Sequence, residues 1–78
     1  MKLEFENSEG IRRIIGYPDS LKETHKMIND FLAQYPHFKH YYTRINMGEK
    51  EWWFDVGSHT EGMVLSDLND NILDELKE

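Results

Sequence analysis

Apolar and polar residues alternate at the start of the chain in the pattern of a half-buried β-strand. Leu3 and Phe5 are flanked by charged residues, and a period of two places both side chains on one face of a strand. Residues 7–10 have the composition of a turn, and residues 11–17 return to a β-rich sequence. These segments predict an N-terminal β-hairpin.

The apolar spacing changes to that of a helix after Pro18. Ser20 and Glu23 have the spacing of a capping box, in which each side chain accepts a hydrogen bond from a backbone N–H of the first turn. The apolar stripe that follows at helical spacing, and that also includes His25, consists of Leu21, Ile28, Phe31, Leu32 and Tyr35. A residue before proline is disfavoured in the α region. We therefore expect the helix to end at Pro36.

A second hairpin is predicted from two segments rich in aromatic and β-branched residues, 38–46 and 51–56. Residues 47–50 supply the turn between them. If this turn is centred on Gly48-Glu49, residues whose numbers sum to 97 lie opposite each other. This register also decides which side chains share a face, because neighbours along a strand point to opposite sides of the sheet.

The predicted hairpin has an apolar face and a face that combines aromatic with charged side chains. The apolar face is expected to lie against the helices, and it contains Tyr41, Thr43, Ile45, Met47, Trp52, Phe54 and Val56. On the opposite face, Tyr42 is expected beside Asp55. Arg44 is expected beside Trp53, where a cation–π contact is worth about 0.5–1 kcal/mol at an exposed site.

Trp, Tyr and Arg are the residues enriched among the energetic centres of protein interfaces. This composition favours direct contact of Trp53, Tyr42 and Arg44 with a partner. A structural role for Trp53 and Tyr42, on a sheet face that another element covers, remains the alternative.

The C-terminal part of the chain predicts a loop at 57–62, a short further strand at 63–65 and a last helix capped by Ser66 or Asp67. The apolar stripe of that helix would be Leu68, Ile72, Leu73 and Leu76. The element order β-β-α-β-β-(β)-α predicts a single α+β domain over residues 1–78. We expect a small, mainly antiparallel sheet of four to five strands with two helices.

Charge is distributed unevenly along the chain. Its 15 acidic and 9 basic residues give a net charge of −6, which opposes direct binding to nucleic acid or to anionic membranes. Residues 51–78 hold eight acidic residues and only Lys77, a balance of −7. Asp70 and Asp74 therefore have two interpretations. They are the solvated face of the last helix, or they imitate a phosphate backbone for a nucleic-acid-handling protein.

Enzymatic and metal sites are not expected. His37 and His40 have the spacing of a ligand pair on a helix but would lie on opposite faces of a strand. Ser58 and His59 are residue types of nucleophilic catalysis, but adjacency in the sequence does not create the required geometry. With no cysteine and no apolar leader segment, we expect an unprocessed cytoplasmic protein without a cofactor.

The segment Trp52–Glu61 (Trp-Trp-Phe-Asp-Val-Gly-Ser-His-Thr-Glu) resembles short hypothetical accessory proteins of phages and mobile elements of Gram-positive bacteria. The resemblance implies an accessory protein that blocks or redirects a host factor, of the anti-defence or anti-CRISPR type. It carries no functional residue over to this chain.

The sequence therefore predicts a small, acidic, non-enzymatic protein-binding module, and the resemblance suggests a phage-type inhibitor. The residues expected to contact the partner are Tyr42, Arg44, Trp53, Asp55, Ser58, His59, Asp70 and Asp74. The alternatives are a self-associating domain, since an exposed aromatic face can pair with its own copy, and a small hydrolase or metal-binding protein.

Overall fold

One antiparallel sheet and one helix form the part of the chain that the computed structural model describes, residues 1–35, 45–56, 60–69 and 72. The elements are β1 (Lys2–Glu6), β2 (Arg12–Gly16), α1 (Leu21–Leu32), β3 (Ile45–Met47), β4 (Glu51–Asp55) and β5 (Gly62–Ser66). The strand order is β2-β1-β5-β4-β3, and every neighbouring pair is antiparallel. The predicted α+β class and antiparallel sheet are confirmed, with five strands.

The N-terminal hairpin is confirmed, and Asn7 organises its turn. The Asn7 side-chain oxygen accepts hydrogen bonds from the backbone N–H groups of Glu9 and Ile11, at 2.9 and 3.0 Å. Gly10 has a φ of 81°, a backbone conformation in which a side chain is strained. The pairing of β1 with β2 shifts by one residue between Leu3 and Glu4, so β2 carries a β-bulge.

The capping box at the start of α1 is also confirmed. The Glu23 N–H donates to the Ser20 hydroxyl at 3.1 Å, and the Glu23 carboxylate accepts from the Asp19 N–H at 3.0 Å. The helix ends at Leu32, earlier than the predicted end at Pro36, because the Tyr35 N–H bonds to the Leu32 carbonyl in a tighter turn. No helix in the described ranges is long and apolar enough to cross a membrane.

The core lies between α1 and one face of the sheet. Phe5 of β1 packs against Phe31 of α1, with ring centroids 5.0 Å apart. His25 lies at the edge of this core, where its ring meets that of Phe54 edge-on at 6.3 Å. The buried apolar residues of the cluster are Leu3, Leu21, Ile28, Phe31, Leu32, Trp52, Phe54, Val56, Met63, Leu65 and Ile72.

Strand β5 is the centre of the sheet, although the sequence pattern indicated only an optional short strand there. It pairs with β1 on one side and β4 on the other. Met63, Val64 and Leu65 are all fully buried. A strand buried on both faces has a continuous apolar run in place of alternation, so three apolar residues carried little information about their position.

The predicted register of the second hairpin is wrong by two residues. Met47 lies opposite Trp52, so paired numbers sum to 99, and the Gly48 N–H donates to the Glu51 carbonyl at 3.0 Å. The tip of the turn is therefore Glu49-Lys50. A shift of two preserves which face each residue occupies but changes its neighbours. Met47, expected to be buried, is 59 % exposed at the end of the edge strand β3.

The last helix does not begin at Ser66 or Asp67, the two predicted capping residues. Ser66 is the final residue of β5, and Asp67 has a φ of 53°, in the left-handed region. Leu68 is half-buried and Ile72 is buried. The rest of the predicted helix, including its apolar residues Leu73 and Leu76, lies outside the described residues.

Candidate protein-binding face

The sheet face opposite α1, here called the outer face, contains the described residues of the predicted site. Because successive side chains point to opposite sides of the sheet, every second residue of a strand belongs to the outer face. In β2 the bulge interrupts this alternation. The described members of the outer face are Lys2, Glu4, Glu6, Arg12, Ile14, Asn46, Glu51, Trp53, Asp55, Gly62, Val64 and Ser66.

The two adjacent tryptophans occupy opposite faces of the sheet, as the sequence predicted. Trp52 is 1 % exposed and belongs to the core. Trp53 is half-buried on the outer face, between Asn46 of β3 and Val64 of β5. The wrong register had placed Arg44 at the position that Asn46 occupies.

The indole of Trp53 lies directly over Gly62. A Cβ atom added to Gly62 would be 2.2 Å from Cζ2 of Trp53 and 2.4 Å from Cε2, far inside van der Waals contact. Only glycine at this position lets the ring approach β5 so closely. Val64, next along β5 on the same face, is fully buried, so the exposed part of the indole forms the apolar patch of this polar surface.

An open depression of about 460 Å³ adjoins the Trp53 side chain. Trp53 and Val64 supply its apolar part, and Asn46 and Glu51 its polar rim. Gly48 and Met47 close the end near the hairpin turn. An apolar centre with a polar rim is the general anatomy of a protein-binding surface.

Arg12 bridges three strands across the outer face. Its Nε donates to Glu6 at 2.9 Å, and its Nη1 and Nη2 donate to the two carboxylate oxygens of Glu51 at 3.1 and 3.3 Å. These bonds raise the pKa of the Arg12 guanidinium, first through Glu51 and then through Glu6. The group therefore stays charged in this two-pronged contact, the geometry for which arginine is suited.

The Arg12–Glu51 contact also reports the shape of the sheet. Two strands, β1 and β5, separate β2 from β4, a distance of about 14 Å at ordinary strand spacing. Glu51 also lies four residues along β4 from Asp55, the residue in line with Arg12 across the strands. The side chains nevertheless meet at 3.1 Å, because the twist of a sheet brings opposite corners closer together. Arg12 therefore links β2 and β4 across the outer face.

Acidic residues outnumber basic residues on the described part of the outer face. Four carboxylates face two cations, and these six residues are Glu4, Glu6, Glu51, Asp55, Lys2 and Arg12. Lys2 lies 3.7 Å from Glu4, and Arg12 binds Glu6 and Glu51. The electrostatic character of this face is therefore moderately negative around a half-buried indole.

Of the eight residues predicted to contact a partner, the structure describes Trp53 and Asp55. They lie two residues apart on β4 and share the outer face, with Asp55 opposite Gly62. The other six lie outside the described residues, and they are Tyr42, Arg44, Ser58, His59, Asp70 and Asp74.

Several residues of the face carried no signal in the sequence. Arg12 and Glu51 are 39 positions apart, so no local pattern connects them. Gly62 had the appearance of a loop boundary, and its role under the indole depends on the pairing of β4 with β5. Asn46 became the neighbour of Trp53 only through the observed register.

Groups of three or more side chains suited to hold a metal ion are absent from the described ranges, whereas His37 and His40 lie outside those ranges.

No protein-family model matches the chain, and no curated protein or solved structure matches it at a significant level. The resemblance of residues 52–61 to phage accessory proteins therefore stays a prediction.

Proposed function

We propose that this chain is a small, non-enzymatic protein-binding module that contacts its partner through the outer face around Trp53. The observation that supports this proposal is the half-buried indole beside an open depression. A large aromatic ring that is partly desolvated and held in one orientation is the usual energetic centre of an interface.

The support under the indole favours binding because it is rigid. Trp53 projects from β4, which has a neighbouring strand on each side, and its ring lies against Gly62. Little conformational entropy is then left to lose when a partner covers the exposed edge of the ring. Val64 is already fully buried, so the new apolar contact with a partner would come mainly from the indole.

The acidic surroundings indicate the chemistry of the partner. Glu4, Glu6, Glu51 and Asp55 surround the apolar patch, so the complementary surface should carry an apolar pocket with lysine or arginine at its rim. Such a surface occurs on nucleic-acid-handling proteins. We therefore propose a phage-type inhibitor of a host factor of that class, with Asp70 and Asp74 adding to the negative charge.

The experiment compares proteins captured from a Gram-positive host lysate by the unaltered chain and by three variants. Trp53→Ala removes the proposed centre, and Asn46→Arg places a bulky cation at its exposed cross-strand neighbour without removing buried atoms. Lys22→Ala, on the exposed side of α1, is the matched control. The true partner is retained by Lys22→Ala and lost by the other two.

Affinity for the purified partner then gives the quantitative result. We expect Trp53→Ala to weaken binding by about 2 kcal/mol, or roughly 30-fold. Circular dichroism shows whether the variant is folded. If folded Trp53→Ala and folded Asn46→Arg both bind the partner with the affinity of the unaltered chain, the outer face is not part of the interface. A steep loss of affinity with added salt, together with competition by DNA or RNA, would favour nucleic-acid mimicry.

A further inference from the structure

The exposed apolar surface of the described ranges is concentrated at the edge strand β2. Ile11, Ile14 and Tyr17 are 59, 51 and 65 % exposed, and all three lie in or beside this strand. In the described part of the chain, β2 has β1 on one side and no strand on the other. An exposed edge strand is the place where an extended segment of another chain can join a sheet.

The hydrogen bonds of the first hairpin show which backbone groups of β2 are directed outward. The Asn7 N–H donates to the Ile11 carbonyl at 3.0 Å, which makes these two residues a hydrogen-bonded pair. Bonded and non-bonded pairs alternate along an antiparallel ladder. Arg12 and Ile14, one and three residues further along, are therefore at non-bonded positions. Their N–H and C=O groups point away from β1, toward the free edge.

The side chains of β2 divide between the two faces of the sheet. Ile14 lies opposite Glu4 on the outer face. Arg13 lies opposite Phe5, whose ring contacts α1. Ile15 follows at the bulge and packs on the core. A strand added to this edge would therefore place one row of side chains beside Ile14 and the other row toward α1.

A groove of about 280 Å³ lies beside the free edge, between β2 and α1. Ile15, Met27 and Phe31 supply its apolar lining, and Arg13 and Asp30 supply its charged lining. Arg13 lies over the Phe31 ring, 5.7 Å from its centroid. Because the two opposite charges border the same groove, a charged side chain that enters it is attracted by one and repelled by the other. The groove therefore favours an uncharged, apolar side chain.

Met27 is the adaptable part of this groove. It packs on Gly16 at the end of β2, where an added Cβ atom would lie 3.1 Å from the Met27 sulfur. It also borders a second depression, of about 380 Å³, together with Lys26 and Glu23 of α1. An unbranched thioether side chain adjusts to irregular apolar shapes, so the groove can accept aliphatic side chains of more than one shape.

We propose that β2 binds an extended, uncharged segment of a partner protein, which joins the sheet as a further antiparallel strand. The partner residues opposite Arg12 and Ile14 each exchange two backbone hydrogen bonds with β2. The partner residue between them lies opposite Arg13 and directs its apolar side chain into the groove. In a complex of this kind the main-chain bonds provide affinity and the groove provides specificity.

This edge is separate from the Trp53 surface and does not require it. Two strands, β1 and β5, lie between β2 and β4, a distance of about 14 Å at ordinary strand spacing. The Arg12 side chain leaves the edge accessible, because Glu6 and Glu51 hold it over the outer face. Binding at β2 therefore goes beyond the function proposed for the outer face.

Selection from a displayed library of random heptapeptides tests the site. We expect the unaltered chain to enrich peptides that carry an uncharged apolar residue between two β-branched residues, since β-branched residues favour the extended backbone. Replacement of that apolar residue by Asp in a synthetic peptide should weaken binding at least about tenfold, as measured by isothermal titration calorimetry.

Ile14→Pro tests the backbone bonds from the side of the protein, because proline has no N–H group. The Ile14 N–H points away from β1, so the substitution removes a donor to the added strand and leaves the β1–β2 ladder intact, as edge strands tolerate. Ile14→Ala keeps the N–H and is the matched control. We expect peptide binding by Ile14→Pro to be at least about tenfold weaker than by Ile14→Ala. Circular dichroism verifies that both variants are folded.

Methylation of single backbone nitrogens in the peptide tests the same bonds without altering the protein. In the added strand, the N–H groups of the residues opposite Arg12 and Ile14 point to β2, whereas the N–H between them points away. Methylation at either of the first two positions should weaken binding at least about tenfold, and methylation between them should have a clearly smaller effect. This alternation decides the proposal even if Ile14→Pro fails to fold.

Several results would contradict binding at β2. One is the absence of any library peptide that binds more tightly than about 1 mM, and another is equal binding by folded Ile14→Pro and Ile14→Ala. Peptides that bind Ile14→Pro normally but are lost with Trp53→Ala would belong to the outer face. Self-association that Ile14→Pro abolishes, without peptide binding, would assign the edge to a second copy. Partner capture through Trp53 is measured separately, so neither proposal depends on the other.

Discussion

The two faces of the sheet differ in how they are buried and in what they do. The face toward α1 consists of apolar side chains such as Leu3, Phe54 and Leu65, each fully buried. Among the described residues of the outer face, Trp53 is the aromatic side chain, and most of its neighbours are charged or polar. Burial of the first face drives folding, because apolar surface removed from water is the main favourable contribution to stability.

The arrangement of the outer face depends on contacts between particular residues of neighbouring strands. Trp53 requires a glycine beneath it, and Arg12 requires both Glu6 and Glu51. A surface of this kind contributes less to stability but leaves an aromatic ring accessible to a partner. The adjacent tryptophans, Trp52 and Trp53, are therefore a matched pair for measuring the difference between the faces.

The largest expected effect is that of Trp52→Ala. Removal of a large side chain that is 1 % exposed leaves a cavity in the core and should cost about 3–5 kcal/mol of unfolding free energy. Trp53→Ala should cost clearly less, because its ring is half-buried and water can replace part of it. Urea denaturation followed by circular dichroism compares the two variants. Equal losses would contradict the distinction between the faces.

A smaller effect is expected for Gly62→Ala, which places a Cβ atom 2.2 Å from the Trp53 ring. Displacement of the indole should cost about 1–3 kcal/mol, as for other overpacked sites. The cost should fall sharply in a Trp53→Ala background, since the obstructing ring is then absent. A double-mutant cycle of unfolding free energies measures this coupling. Additive losses would show that the glycine is needed for another reason.

The smallest effect is expected for Arg12→Lys, which keeps the charge but loses the two-pronged contact with Glu51. Arg12 is 36 % exposed at its side chain, so screening limits the loss to about 0.2–1 kcal/mol. Thermal unfolding at low and high salt detects it, and the difference between variant and unaltered chain should shrink as salt increases. Lys26→Arg, at an exposed position on α1, is the matched control.

Local features of the fold were predictable because their signals lie within a few residues. The capping box at Ser20 and the apolar stripe of α1 predicted the helix and its buried face. Alternation in β4 correctly separated Trp52 from Trp53. This separation survived an incorrect register, because a shift of two residues leaves every side chain on its own face.

Features that join distant segments were not predictable in the same way. The position of β5 between β1 and β4 depends on which strands bury it, and its three apolar residues fit a central strand or an edge strand equally well. The bond between Arg12 and Glu51 and the packing of Trp53 on Gly62 both follow from that order of strands.

The sequence by itself therefore determined the helix, the two hairpins and the identity of the residues on each face of β4. Periodicity and turn chemistry act over short distances, so the pattern of residues is sufficient to specify them. Only the tertiary structure decided the register of the second hairpin and the neighbours of Trp53. Those neighbours depend on hydrogen-bonded pairing between strands that are far apart in the chain, and one-dimensional spacing does not encode that choice.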